Sequence, residues 1–189
     1  MQILNAIYNF GTFFNKIMTR MKTVFYFISI LTLLLYSCGS KKSPEELMTE
    51  ASTFTQEKKF PESVNAYETI INDFPDDSLA PEATFNLATL YQNKLVKNLT
   101  EEESLRKAVE IFQSIHKKYP NSSKAPMGLF MSGFILANEL KDYNSATDVY
   151  NLFLKEYPDN ELATSTKEEL DNMGLTPEEI LQKKIARQE

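Results

Sequence analysis

The chain has one cysteine, one histidine, no tryptophan and five glycines in 189 residues. A single cysteine excludes an internal disulfide. Cys38 and His116 alone cannot build the usual Cys/His zinc cage, so no metal is expected. One histidine also leaves a His-dependent catalytic scheme without its second member. There is no glycine-rich phosphate loop, no zinc-ligand spacing and no nucleophile elbow, so neither a cofactor nor catalysis is expected. Few glycines, together with an even spread of Lys, Glu, Leu and Ala, favour helices over turn-rich sheets, and the expected class is all-α.

Charge is unevenly placed. Residues 1–37 hold Lys16, Arg20 and Lys22 and no acid, so the remainder carries 17 basic against 26 acidic side chains, a net charge of −9. Such a surface repels phosphate backbones, and no basic stripe opposes it, so nucleic acid is not expected as a partner. What is present is 42% apolar residues, enough for a core in one domain.

Val24 to Leu35 reads VFYFISILTLLL, uncharged, after Lys22 and before Tyr36, Ser37, Cys38 and Gly39. This run falls short of the roughly 20 residues that span a bilayer, whereas a basic start, a short apolar run and small residues at its end compose a secretory signal. The order Leu35-Tyr36-Ser37-Cys38-Gly39 resembles the lipobox of bacterial lipoproteins. That resemblance implies acylation of the Cys38 thiol, cleavage before it, and attachment to the membrane through its acyl chains. The other reading is an uncleaved anchor ending in an unreactive Cys38. Residues 1–20 read as a dispensable leader with a start at Met21, 21–37 as the signal peptide, and 38–44 as the lipidated residue with a polar tether. No Asp follows Cys38, and by the same resemblance this points to the outer membrane, facing the periplasm.

Three later segments share one spacing. They are Phe60, Ser63, Tyr67, Ile70, Phe74-Pro75, Ala80; Leu105, Ala108, Phe112, Ile115, Tyr119-Pro120, Ala125; and Tyr143, Ala146, Tyr150, Phe153, Tyr157-Pro158, Ala163. Gaps of three and four place these side chains on one helical stripe, and the proline ends the helix. Upstream, a small residue precedes a large one by three in Ala51/Phe54, Ala88/Tyr91 and Gly133/Leu136, which predicts a closely packed first helix. The unit is a helical hairpin, repeated. Ser43-Pro44-Glu45-Glu46 and Thr176-Pro177-Glu178-Glu179 read as helix starts. Lys94 to Glu103 reads as an insertion between paired helices.

This pattern resembles the tetratricopeptide repeat family over about residues 45–165. The longer turns at 75–83 and 120–126 are similar to those of outer-membrane assembly lipoproteins and of the periplasmic Tol-Pal associated coordinator of cell division. The resemblance implies a right-handed array of about three hairpins, with 45–165 as the repeat domain and a C-terminal helix within 166–189. It also implies a concave face built from the first helices. By phase, Met48, Ser52, Phe85, Thr89, Gln92, Phe130 and Phe134 would line that groove and meet a protein partner of the cell envelope.

Phe60, Tyr67, Phe74, Phe112, Tyr119, Tyr143, Tyr150, Phe153 and Tyr157 read as core. His116 reads as a helix-end cation, and the acid runs as solvated helix starts. The expected function is a membrane-anchored interaction scaffold, in outer-membrane protein assembly or envelope maintenance, with no enzyme activity. The alternatives are an accessory subunit in cell-wall polymer metabolism and a structural oligomer using Leu175, Ile180, Leu181 and Ile185.

Overall fold

The structure, a computed structural model, describes Met18, Arg20, Met21 and residues 41–186. The chain forms two compact units, residues 1–41 and 42–189. In the first, Met18, Arg20 and Met21 are helical and exposed. Cys38 and the apolar run before it lie outside the described residues. Among the described residues there is no strand, and no helix is long and apolar enough to cross a membrane.

The second unit holds α1 (Pro44–Gln56), α2 (Phe60–Asp73), α3 (Ala80–Gln92), α4 (Glu101–Lys118), α5 (Lys124–Phe134), α6 (Tyr143–Glu156), α7 (Ala163–Asn172) and α8 (Pro177–Ala186). Each helix from α1 to α6 packs on the next. Pairs α1/α2, α3/α4 and α5/α6 are the three hairpins.

Three helix ends are built alike because each places an aromatic residue before a proline. The proline ring disfavours the α region for its predecessor. Phe74, Tyr119 and Tyr157 accordingly sit at φ −133°, −132° and −132°, each donating its N–H to the carbonyl four residues back. The turn that follows is also repeated. Asp77, Ser122 and Asn160 donate backbone N–H groups to Phe74, Tyr119 and Tyr157, and their side chains accept from Leu79, Lys124 and Leu162 at 2.8, 3.2 and 3.0 Å. A short polar side chain that mimics a backbone turn explains why Asp, Ser and Asn share this register.

Starts are set by capping boxes. Ser43 with Glu46 opens α1, Thr100 with Glu103 opens α4, and Thr176 with Glu179 precedes α8. In the last two, the Thr backbone N–H bonded to the carboxylate holds Glu103 and Glu179 below the usual carboxylate range. That contribution is present at neutral pH and fades as pH falls through the lowered values. With α4 starting at Glu101, the stretch read as an insertion divides into a loop over 93–100, whose Leu95 and Val96 pack on the core, and the first turn of α4.

Within the hairpins the first helix ends on a lysine in the left-handed region: Lys58 (φ 60°), Lys94 (φ 58°) and Lys141 (φ 56°). The next residue donates back to close the end, Lys59 to Phe54 and Leu95 to Leu90, five residues away. In the third hairpin, Asp142 reaches Leu136, six away, because α5 continues through a π-helical turn, Ile135–Glu139, that absorbs one extra residue.

The core runs through the hairpins, with Ile70, Phe112, Ile115, Tyr150 and Phe153 fully buried. Ala51 and Ala88 are fully enclosed and Gly133 is buried. A Cβ on Gly133 would lie 2.4 Å from Tyr150 Cε1, so only glycine admits that ring. One expected core residue is not core. Tyr143, first in α6, is 41% exposed, standing directly after the turn that closes the third hairpin. The C-terminal helix expected near 177–187 is α8, and a further helix, α7, precedes it, the two parted at Gly174, φ 77°.

Candidate functional site: the stripe on the first helices

The seven groove candidates sit at equivalent turns of α1, α3 and α5. Met48, Phe85 and Phe130 lie three residues before the small residue of their helix, and Ser52, Thr89 and Phe134 one after it. Gln92 lies one turn further along α3. Asn86 links α3 to α1 through Met48 Sδ at 3.9 Å, and α3 touches α5 directly. Ser52 is exposed and the other six are half-buried.

Two of these side chains are tied to the core. The Phe85 ring meets Phe112 edge-on with centroids 5.1 Å apart, and Phe130 lies 6.2 Å from Tyr150. Each therefore presents one edge to the hairpin interior and the other to the stripe. Lys124 Nζ stands 5.1 Å over the Phe85 ring while bridging Glu82 at 2.6 Å, a link from the start of α5 to that of α3. Thr89 donates its hydroxyl to the Phe85 carbonyl. None of the seven side chains is charged, and the Lys124–Glu82 pair flanks Phe85.

His116 has a structural place. Its Nδ1 lies 2.7 Å from the Tyr157 hydroxyl, which donates to the Pro120 carbonyl at 3.1 Å, so the end of α6 is tied to the end of α4. Beside it, Leu129, Val149 and Leu152 line an apolar recess of about 130 Å³. No group of three or more metal-ligating side chains occurs among the described residues.

A larger pocket, about 400 Å³, was not anticipated from the sequence. It lies between the end of the third hairpin and the α7–α8 connection, lined among others by Ala137, Lys141, Tyr143, Glu168, Asn172 and Leu175. Counting from Ala163 as from Ala80 would have found part of it. Glu168 and Asn172 hold in α7 the register that Phe85 and Thr89 hold in α3, and Leu175 follows just past its end.

The same counting explains the one buried side-chain oxygen, among the described residues, that lacks a hydrogen-bond partner: Tyr150 Oη. Its counterpart Tyr67 has a hydroxyl whose pKa burial raises, and the polar groups of Thr55 and Asn86 nearby ease that rise. Glu169 stands where Asn86 would, but it accepts from Asn138 at 3.3 Å. Burial first, and the Glu169 charge second, push the Tyr150 hydroxyl well above the ordinary phenol value. An unmade buried hydrogen bond costs about 1–3 kcal/mol, while a made one contributes about 1. Tyr150→Phe is expected to raise unfolding free energy by about 1 kcal/mol and Tyr67→Phe to lower it by a similar amount, as read by urea denaturation of the two variants.

Comparison with known proteins places these hairpins. No curated protein matches the chain. The family described as "Tetratricopeptide repeat" matches residues 82–122 and 128–160, which are the α3/α4 and α5/α6 hairpins to within a few residues. The α1/α2 hairpin shares their spacing, its proline-terminated end and its lysine turn. Residues 44–156 thus form an all-helical array of three hairpins, the second and third of which are matched as tetratricopeptide repeats.

Proposed function

We propose that this protein is a lipid-anchored scaffold of a bacterial cell envelope, held at the outer membrane and facing the periplasm, that binds a protein partner along the stripe on α1, α3 and α5. The observation that carries the binding reading is the stripe itself: seven uncharged side chains, four of them Met or Phe, on a domain that is otherwise strongly acidic. Half-buried apolar residues in register along successive helices suit an amphipathic helix or extended segment. The mechanism is equilibrium binding without turnover, and the array is assigned no catalytic, metal or cofactor site. Anchoring rests on the sequence Leu35-Tyr36-Ser37-Cys38-Gly39. It would raise the effective concentration of the stripe for any partner held in the same membrane. A role in outer-membrane protein assembly or envelope maintenance follows from the resemblance of the long turns to those lipoproteins.

The test is crosslinking and pulldown from native membranes of the full chain. Phe85 and Phe130 are poor probes because their rings also pack in the hairpins, so the stripe variant is Thr89→Ala/Gln92→Ala/Phe134→Ala. It should stay in the membrane fraction and lose a defined protein at least tenfold, whereas Cys38→Ser should leave the membrane fraction. An unchanged catch would remove the stripe from the binding account, and a membrane-bound Cys38→Ser would remove the lipid.

A further inference from the structure

One helix lacks the packing that stabilises the others. α8 has a complete N-terminal cap, yet none of its residues is buried. Ten residues are too few for a helix to be stable alone in water, so an amphipathic helix of this length draws its stability from an apolar surface laid against its own. Ile180 reaches the pocket at the α7–α8 connection, and Lys183 donates to the Asp171 carbonyl. These contacts hold one side of α8 to the array. The opposite side carries Leu181, 60% exposed, and Ile185 one turn on, 52% exposed.

The charges around Leu181 say what covers it. Glu178 lies three residues before Leu181 and Lys184 three after, on the same stripe. Acids occupy the first turn and bases the last. In a pair of α8 helices related by a two-fold axis through Leu181, residue 178 of each stands opposite residue 184 of the other. Leu181 then packs on Leu181, and Ile185 covers Pro177. Both ion pairs form at once, and the helix dipoles run antiparallel. Parallel pairing would set Glu178 on Glu178 and Lys184 on Lys184. A negatively charged lipid surface fits less well, because Glu178 flanks the apolar stripe and the domain carries excess acid.

We infer that α8 joins two copies of this chain, antiparallel across a two-fold axis at Leu181. The proposal is independent of what the α1/α3/α5 stripe binds, since α8 lies outside it.

The experiment is the mass of the full-length protein in detergent, by light scattering after gel filtration. Wild type should run at twice the polypeptide mass, and Leu181→Asp at the single mass. Glu178→Lys and Lys184→Glu spare both the cap and the Lys183 tether. Each alone should shift to the single mass, and an equimolar mixture of the two should recover the doubled mass. All three variants should keep the wild-type unfolding transition of the array. A monomeric wild type overturns the proposal. So does a dimer that survives Leu181→Asp, or single reversals that fail to complement on mixing. If Leu181→Asp leaves the mass unchanged but abolishes binding to phosphatidylethanolamine/phosphatidylglycerol vesicles, α8 is a membrane-surface helix and the inference is wrong.

Discussion

Phe112→Ala should lower the unfolding free energy of the array by about 3–5 kcal/mol, the range for emptying a fully buried aromatic site. Phe112 is fully buried in α4, the second helix of the middle hairpin, and its ring makes a T-shaped contact with that of Phe85. In a quasi-linear array each hairpin leans only on its neighbours, so damage at the centre weakens the junctions on both sides. The expected thermal trace therefore loses cooperativity as well as midpoint, separating into two transitions. A single sharp transition moved by less than about 1 kcal/mol would mean the site collapses around the truncated side chain.

Gly128→Ala should rank next, although the repeat pattern alone suggests tolerance, since Ala83 holds the same register in α3. The difference lies in how closely the helices approach. A Cβ on Gly128 would stand 2.6 Å from the Phe112 carbonyl oxygen, and backbone cannot swing aside. The α4/α5 contact must open, at about 1–3 kcal/mol or more by analogy with other overpacked cores. Gly133→Ala meets a side chain instead, with Tyr150 Cε1 at 2.4 Å. A second substitution, Tyr150→Leu, should recover part of the Gly133→Ala loss and none of the Gly128→Ala loss. Denaturation of the four-member cycles measures this directly as coupling energy. Equal rescue of both glycine variants would show that the α4/α5 backbones have slack that the geometry denies.

The hairpins were legible because their cause is local. Spacings of three and four, a small residue before a large one, and an aromatic before proline each constrain backbone or packing by themselves. The helix α7 was not legible, for a physical reason. The register that carries Phe85 and Phe130 in earlier hairpins carries Glu168 here, so the apolar stripe that advertises a helix is missing. What holds α7 is the burial of Ala163 and Thr166 against α6, which is long-range. The π-helical turn at Ile135–Glu139 was hidden similarly, since the longer run from Gly133 to Lys141 than from Ala51 to Lys58 or Ala88 to Lys94 shows only against a known hairpin geometry. Tyr143 misled because the spacing repeats at a position where the array no longer encloses it. Of the stripe, the phase of all seven residues was readable, but the attachment of Phe85 and Phe130 to rings behind them was not. Cys38 rests on sequence alone.

The polar register at the hairpin junctions bears on assembly order. Tyr67 is answered by Asn86; Phe112 has Met131 at that position, and Tyr150 has Glu169. An amide suits the Tyr67 hydroxyl and a thioether the bare Phe112 ring, so those two junctions are not interchangeable even though the helices flanking them look alike. A hairpin docked one place out of sequence, or borrowed from a neighbouring chain during synthesis, would set Tyr67 against Met131 and strand its oxygen. Arrays of near-identical units are prone to that error, and the different side chains that Asn86 and Met131 present at the first two junctions oppose it.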